Sequence, residues 1–500
     1  MTEKINSADL GFEKEIFKAA DKLRGNIDAA EYKNVVLGLI FLKYISDSFE
    51  ELYQKLVDEG DGFEEDRDEY LAENVFFVPE EARWDYIAKH AKEAEIGLII
   101  DKAMTAIEEE NVRLLGVLPK NYARPELDKR RLGEVVDLFN NIRLKEHGDL
   151  KDILGKTYEY AIAQFAELEG KRAGEFYTPS SIVRTLVEIL QPYEGRVYDP
   201  CCGAGGMFVQ SAKFIERHQG RTDKLSIFGQ ESNPNTWKLA KMNLAIHGLD
   251  GNLAQGAADT FFNDQHKNIR VDFILANPPF NMSDWGGDKL EEDKRWKYGI
   301  PPQGNANYAW MQHMIYHLSP KGKLGLVLAN GSLSAGGQEG NIREAIINDD
   351  LVEAVISMPD KLFYSTGIPV SLWIINKSKK QEGKTVFIDA RSLGTMVSRA
   401  HRELSIKDID EISSIYHKFT TGENVENLGC SHVADLKEIE DNNFVLTPGR
   451  YVGMEEAEDD GIPFEEKMEN LTSELSELLN ESHRLEEEIK KQLGGIGFDV

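Results

Sequence analysis

Asn277-Pro278-Pro279-Phe280 combines two hydrogen-bond acceptors with a flat aromatic ring. An exocyclic amine of a nucleic-acid base is a poor nucleophile because its lone pair is delocalised into the ring, so an enzyme that alkylates it must place acceptors on its hydrogens. The side-chain oxygen of Asn277 and the carbonyl oxygen of Pro278 are such acceptors, and the prolines stiffen the aim of that carbonyl. Phe280 offers an apolar face to a base swung out of a duplex. The tetrapeptide predicts methyl transfer to an amine, and the alternative is a simple turn after a strand.

A glycine turn lies upstream of this tetrapeptide. Gly203-Ala204-Gly205-Gly206 follows a strand-like run that ends at Asp199, and a helix is predicted from Met207 to about His218. Glycine has no Cβ, so the backbone of such a turn can approach a ligand closely. The turn and the tetrapeptide together make the chain a candidate nucleic-acid methyltransferase.

Two carboxylates follow the next strand-like runs. Glu231 comes about 20–30 residues beyond the glycine turn, where an acidic side chain can accept from both ribose hydroxyls. Its alternative is a helix cap or a solvated carboxylate. Asp259 could accept from the amine of an adenine, or it could equally cap the turn ahead of Phe261 and Phe262.

These residues need an open α/β sheet to bring them together. Strands and helices alternate from about Gly170 to Lys377, which is typical of a parallel sheet covered on both faces. We predict an α/β, mostly parallel, seven-stranded Rossmann-like sheet, whose last two strands form a terminal antiparallel hairpin. The predicted strands are centred at Val197, Ile227, Leu253, Ile274, Leu326, Val355 and Leu372. Ligands bind at the carboxyl ends of strands in such sheets, which is where Asn277 and Glu231 would lie.

The flanking regions are predicted to be helical. The run from Tyr32 to Ile45 is apolar on nearly every side, as in a helix buried within a bundle. A heptad pattern with one polar position marks the C-terminal part, at Phe464, Met468, Leu471, Leu475, Leu478, Ser482, Leu485 and Ile489. We expect a helical domain over residues 1–165, a catalytic domain over 166–400, an extension over 401–460 and a heptad helix over 461–500. The heptad helix would pair with a partner helix or fold back on its own catalytic domain.

Composition restricts the partners. The net charge of −29 argues against a protein that grips DNA alone, because Lys and Arg supply most non-specific affinity. Either the substrate is not a polyanion or a partner supplies the positive surface, although a local basic groove is compatible with the total charge. We interpret the charge as evidence for a partner. The three cysteines, Cys201, Cys202 and Cys430, match neither zinc spacing nor a disulfide framework, so no metal site is predicted. The sequence lacks both a spanning apolar run and a signal-peptide pattern, which predicts a cytoplasmic protein without a membrane partner.

Further motifs carry a family resemblance. Glu175-Phe176-Tyr177-Thr178-Pro179 lies just upstream of the glycine turn, and the order of this motif, the turn, Glu231 and the Asn-Pro-Pro-Phe tetrapeptide resembles that of N6-adenine DNA methyltransferases of the gamma arrangement. Asn307-Tyr308-Ala309-Trp310-Met311-Gln312-His313 and Thr447-Pro448-Gly449-Arg450-Tyr451-Val452 resemble sequences in the modification subunits of type I restriction–modification systems. So does Leu23-Arg24-Gly25-Asn26-Ile27 with the helix that follows it. The glycine turn departs from the usual pattern in carrying Cys201-Cys202 where small residues such as alanine are common.

The resemblance implies a role for each motif. S-adenosyl-methionine would be bound at its methionine end by Phe176, Tyr177 and Thr178, and Glu175, Pro179 and Ser180 would also belong to the cofactor site. Its amino-acid and sugar portions would lie against Asp199 and the turn from Gly203 to Gly206, with Glu231 on the ribose and Asp259 near the adenine. Asn277, Pro278, Pro279 and Phe280 would hold the target adenine.

The resemblance also implies partners. These are double-stranded DNA, a specificity subunit that binds two modification subunits and docks the heptad helix, and in some complexes a restriction subunit. The expected activity is site-specific adenine N6 methylation. Two alternatives are a cofactor-binding scaffold whose catalysis has lapsed and a methyltransferase that acts on protein glutamine. The DNA target sequence, any preference for hemimethylated DNA and the exact stoichiometry are not readable from the residues.

Overall fold

The computed structural model describes residues 29–141, 150–169, 178–218, 221, 224–363, 367–399, 401–453 and 464–495. The chain divides into two compact units, Met1–Gly453 and Met454–Val500. Among the helices that can be described, none is both long and apolar enough to cross a membrane.

The first unit begins with a helical region built on one buried helix. Its helices are α1 (Ala29–Glu59), α2 (Arg67–Ala72), α3 (Trp84–Lys89), α4 (Ile96–Glu110), α5 (Lys129–Asn141) and α6 (Leu150–Glu169). Along α1, Val36, Leu37 and Phe41 are fully buried, which confirms the predicted bundle helix. The motif Leu23–Ile27 lies outside the described residues.

A nine-stranded sheet follows. Its strands are β1 (Gly195–Asp199), β2 (Leu225–Gly229), β3 (Gly251–Asn252), β4 (Val271–Ala276), β5 (Leu318–Ala329), β6 (Val352–Ser357), β7 (Val370–Asn376), β8 (Lys384–Asp389) and β11 (Ser431–Asp435). Two short strands, β9 (Thr395–Met396) and β10 (Arg402–Glu403), form a separate two-stranded sheet. The spatial order is β11-β8-β6-β7-β5-β4-β1-β2-β3. The contiguous strands β5, β4, β1, β2 and β3 are parallel to one another. The predicted α/β class is correct.

The far half of the sheet differs from the prediction in two ways. Strand β7 pairs antiparallel with β6, as predicted, but it also pairs with β5 and so lies inside the sheet rather than at its end. Every residue of β7 is buried, as a central strand covered on both faces requires. Strands β8 and β11 extend the sheet beyond the seven predicted strands, and β11 lies in the stretch assigned to an extension.

Helices cover both faces of the sheet and create two cores. They are α7 (Ser180–Leu190), α8 (Gly206–Arg217), α9 (Pro234–Ile246), α10 (Asn307–His317), α11 (Gly337–Asn348), α12 (Ile406–Thr421) and α13 (Leu436–Asp441). Successive residues of a strand point to opposite faces. Accordingly Val197 of β1 packs in the core that contains α7 and α8, while Tyr198 packs in the core that contains α10. The carboxyl ends of β1, β2 and β4 therefore share one edge of the sheet.

The second unit contains one described helix, α14 (Phe464–Gly495). Its heptad side chains Leu471, Leu475, Leu478 and Ile489 are exposed. The predicted C-terminal helix is thus present. The residue boundaries of the four predicted domains, and the partner of the heptad seam, stay predictions.

Candidate active site

The glycine turn connects β1 to α8 in a conformation that needs glycine. Gly203 and Gly205 have φ of 53° and 79°, in the left-handed region that L side chains rarely adopt. Gly205 precedes the first turn of α8, and a Cβ placed on Gly206 would meet nothing within 4 Å. The N-terminus of α8 is therefore open, and such a helix end suits an anionic group.

Glu231 holds the glycine turn from the end of β2. Its carboxylate accepts from the backbone N–H groups of Gly203 at 3.1 Å and Asn233 at 2.8 Å. The side chain is only 7% exposed, and burial raises the pKa of Glu231 in spite of these hydrogen bonds. The side-chain cap of α9 is Asn233, which accepts from Asn235 and Thr236, so the cap alternative for Glu231 does not describe its contacts.

Asp199 is the most deeply buried carboxylate of the site. It is 2% exposed, and Oδ1 accepts from the backbone N–H of Cys201 at 3.0 Å. Burial, with a smaller contribution from the charge of Glu231, raises the pKa of Asp199 to about 7. The side chain can thus change its charge near neutral pH.

The tetrapeptide begins directly after β4, and Thr178 fixes its first side chain. Asn277 Nδ2 donates to Thr178 Oγ1 at 3.0 Å. Asn277 Oδ1 is buried and has no hydrogen-bond partner. Because one side of the amide is occupied, the other presents a free acceptor in a fixed direction. At the other end of the motif, Phe280 meets Phe363 edge to face, with ring centroids 5.6 Å apart.

One cleft connects the end of β1, the glycine turn, the start of α7 and Asn277. The predicted site residues that line it are Thr178, Ser180, Asp199, Gly203, Ala204, Gly206 and Asn277. Gly205 is part of the turn, Glu231 binds the backbone of the turn at Gly203, and Pro179 is the N-cap residue of α7. Glu175, Phe176 and Tyr177 lie outside the described residues.

Sequence reasoning missed several residues of the cleft. Glu159 on α6, Gln210 on α8 and Asn243 on α9 also line it. Asn243 Nδ2 donates to the carbonyl of Ala204 at 2.7 Å, and its Oδ1 is buried without a partner. No local motif marks these residues, since only the packing of their helices brings them to the turn.

Asp259 makes the contacts of a turn cap. It is exposed, and Oδ1 accepts from the backbone N–H groups of Phe261 at 2.8 Å and Phe262 at 3.1 Å. This is the second of its two predicted roles. It does not remove the first, because a carboxylate has a second oxygen that can accept as well.

A cluster of Asp264, His313 and His317 lies in the core near β1, with potential ligand atoms within 4.8 Å of one another. Its groups are already paired: His317 Nε2 lies 3.0 Å from Asp264, and Arg295 Nη1 lies 3.0 Å from His313 Nδ1. Burial lowers the pKa of His313 well below its usual value, and nearby positive charge acts in the same direction. The adjacent guanidinium disfavours a cation, and we assign no metal to the cluster.

The sheet, the glycine turn and the tetrapeptide define an S-adenosyl-methionine-dependent DNA methyltransferase. A family profile described as N-6 DNA methylase matches residues 149–460, and a profile described as the HsdM N-terminal domain matches residues 12–139. The chain belongs to the methylase subunits of type I restriction enzymes, and it is a modification subunit of that class.

Individual relatives agree with this assignment. The chain is 46% identical to the type I restriction enzyme HindI methylase subunit of Haemophilus influenzae, over 84% of this chain and 100% of the relative. It is 41% identical to the MjaIX methylase subunit of Methanocaldococcus jannaschii, over 97% of this chain and 92% of the relative. A crystal structure of a type I methyltransferase subunit from Streptococcus thermophilus shares the fold, with a TM-score of 0.76 at 24% identity over 89% of this chain and 99% of that one.

Proposed function

We propose that this subunit methylates N6 of an adenine that has been swung out of double-stranded DNA. The observation that carries the proposal is the free, buried Oδ1 of Asn277 in the cleft that the glycine turn also lines. An unpartnered buried acceptor is costly. An adenine amine would satisfy it.

The target amine would be activated by hydrogen bonding alone. Asn277 Oδ1 and the carbonyl of Pro278 accept its two hydrogens, which localises the nitrogen lone pair for attack. S-adenosyl-methionine supplies an electrophilic methyl group on a sulfonium when it is bound. The nitrogen would bond to that methyl carbon while the carbon–sulfur bond breaks, which leaves a neutral thioether. The proton of the nitrogen then leaves to solvent, so no dedicated base is needed. Phe280, held by Phe363, stacks on the ring.

The residues of the cleft fit this cofactor. The open N-terminus of α8 at Gly206 suits its carboxylate, and Asp199 can ionise to meet its ammonium group. Glu231 would accept from the ribose and Asp259 from the adenine amine, with Phe176, Tyr177 and Thr178 at the methionine end. Asp199 and Glu231 lie at the carboxyl ends of the adjacent strands β1 and β2, which is where such sheets usually bind ligands.

Substitution of Asn277 tests the proposal. Asn277→Ala removes one preorganised acceptor, so turnover should fall by roughly 10²–10³-fold with little change in cofactor affinity. Tritiated methyl transfer to DNA and calorimetric titration of the cofactor, both in the complex with a specificity subunit, measure the two effects. Asn424→Ala, at an exposed asparagine after α12, is the control.

Near-normal turnover of Asn277→Ala would contradict the proposal and would favour the interpretation of the tetrapeptide as a simple turn after a strand. Cofactor binding with no transfer to DNA by the unsubstituted complex would favour the scaffold alternative. Methyl transfer to a protein glutamine instead of DNA would favour the alternative of a protein-glutamine methyltransferase.

The proposed assembly contains double-stranded DNA, one specificity subunit for two chains of this kind, and in some complexes a restriction subunit. Two features support the need for a partner: the net charge of −29 and the exposed apolar seam of α14. The complex would act on DNA in the cytoplasm. The specificity subunit would choose the target sequence.

A further inference from the structure

The chain turns at Phe280 and Asn281, and the second of these residues has unusual backbone geometry. Asn281 has φ of 53°, in the left-handed region where asparagine is tolerated better than most L residues. This backbone sets the direction in which the chain leaves the ring of Phe280. Whatever fixes Asn281 also fixes the end of the Asn-Pro-Pro-Phe motif.

Asn307 holds Asn281 through both edges of its amide. Its Oδ1 accepts from the backbone N–H of Asn281 at 3.0 Å, and its Nδ2 donates to Asn281 Oδ1 at 2.9 Å. The backbone N–H of Ala306 also donates to the carbonyl of Met282 at 3.0 Å. The two segments are thus joined at consecutive residues.

The fixed side of this contact is a buried helix start. Asn307 is the first residue of α10 and is 1% exposed, whereas Asn281 is exposed. The backbone N–H of Asn307 donates to Asn305 Oδ1 at 3.0 Å, and the next residue, Tyr308, is fully buried. A well-packed helix therefore positions an exposed loop.

We propose that Asn307, acting through Asn281, is a positioning residue for the target adenine. The inference rests on the proposed function, because it assumes that the tetrapeptide holds the base. The tetrapeptide is then anchored at both ends: Thr178 orients Asn277, and Asn307 orients the chain beyond Phe280. With φ restricted at both intervening prolines, the acceptor and the stacking ring are preorganised relative to each other, which lowers the cost of reaching the reactive geometry.

The asparagine at the start of the Asn-Tyr-Ala-Trp motif thereby has a defined task. The sequence alone gives this motif only a family resemblance. Its first residue forms the polar contact with the loop, while Tyr308, Ala309 and Trp310 anchor α10 in the core.

The test compares variants in the complex with a specificity subunit. Asn307→Ala removes both hydrogen bonds, and turnover should fall by roughly 10²-fold, the loss expected for a small misplacement of reacting groups. Asn281→Ala should also lose turnover, because alanine disfavours the positive φ. Asn281→Gly accepts that φ and keeps the backbone N–H, so it should retain more turnover than Asn281→Ala.

A matched control separates positioning from general destabilisation. Asn74 also has positive φ, 55°, and its amide also makes two hydrogen bonds, to Gly248 and from Arg113, in a different part of the unit. Asn74→Ala should lower the melting temperature without lowering turnover. Cofactor affinity, by calorimetry, should be unchanged in every variant. A fluorescent adenine analogue at the target position should show weaker capture of the flipped base in Asn307→Ala and Asn281→Ala.

Three results would overturn the inference. They are full turnover in Asn307→Ala and Asn281→Ala, an equal loss in Asn74→Ala, or no advantage of Asn281→Gly over Asn281→Ala. The last comparison still applies if Asn307→Ala does not fold. If Asn277→Ala loses turnover while these variants keep it, the inference alone fails. If Asn277→Ala keeps turnover, the proposed function fails first.

Discussion

Asn277 illustrates how a single side chain can be both held and available. Its amide nitrogen is bonded to Thr178, so its oxygen keeps one orientation before any ligand arrives. The Thr178 hydroxyl acts as the acceptor in this contact, which directs the amide oxygen of Asn277 away from it. Electrostatic groups that need no rearrangement contribute most to catalysis.

Asp199 should make cofactor affinity depend on pH. Burial raises the pKa of this carboxyl to about 7, whereas its unfolded value is about 3.9. Between about pH 4 and 7, Asp199 is therefore protonated in the folded protein without cofactor but ionised in the unfolded chain. As a consequence, the contribution of Asp199 to the free energy of unfolding falls as pH rises through this range. A bound ammonium group favours the ionised form. Affinity for S-adenosyl-methionine should then rise as pH increases from about 5.5 to 7.5, with proton release on binding.

Calorimetry in two buffers of different ionisation enthalpy measures that proton release directly. Asp199→Asn cannot ionise and should flatten most of the pH dependence. A residual slope in that variant would report Glu231, whose pKa burial also raises. An affinity of the unsubstituted protein that is independent of pH would show that Asp199 does not meet the ammonium group.

At the scale of elements, one carboxylate joins three helices at the wall of the cleft. Glu159 of α6 accepts from Lys213 of α8, and its Oε1 lies 2.8 Å from His247 Nε2, just beyond α9. Burial opposes ionisation, but the close contact with His247 and the charge of Lys213 prevail and lower the pKa of Glu159 to about 2. Its stabilising contribution is therefore present above about pH 4 and is lost as pH falls through about 2.

Glu159→Gln should lower the free energy of unfolding at neutral pH by about 1.5–3 kcal/mol, the range for hydrogen bonds to a charged group. Urea denaturation measures the change. The control is Glu59→Gln, which removes the same charge from an exposed pair with Lys55 at 4.0 Å and should change stability by less than about 1 kcal/mol. Equal changes in the free energy of unfolding for the two substitutions would contradict the role of Glu159 in holding these helices together.

The sequence was most informative where chemistry is local. The glycine turn, Glu231 and Asn277 follow strand ends along the chain, so residue order alone places them at one edge of a sheet. Asn243 and Phe363 reach the site only through tertiary packing, and no spacing rule marks them. The prediction that β7 ends the sheet was wrong. Strands that are buried on both faces have the same apolar pattern whichever neighbours they pair with, so the pattern does not give their order in the sheet.

At the scale of the whole molecule, the chain has the features of one component of an assembly. Its net charge is −29, which opposes unaided binding to a polyanion. The exposed side chains of Leu471, Leu475 and Leu478 follow one another along α14 at heptad spacing. Such a seam is satisfied by a second helix.

Two aspartates in this seam should prevent assembly. Leu475→Asp combined with Leu478→Asp places charges in the apolar contact, so binding to a specificity subunit should weaken by at least about 10²-fold while cofactor affinity is unchanged. Sedimentation velocity of the mixture measures binding, and Ser476→Asp on the same helix is the control. Unaltered assembly of the double variant would contradict the partner role. A lower melting temperature of the isolated double variant would support the fold-back alternative.

The place of β7 also sets an order of events during synthesis. Strand β5 leaves the ribosome well before β7, and β6 emerges between them, yet β6 and β5 are joined only through β7. Until β7 is made, the nascent chain carries an open edge on β5, and β6, whose residues are all buried in the finished sheet, lacks its neighbour. Unpaired edges of this kind template pairing between chains. The nascent chain with its half-finished sheet is thus more exposed to aggregation than the completed protein.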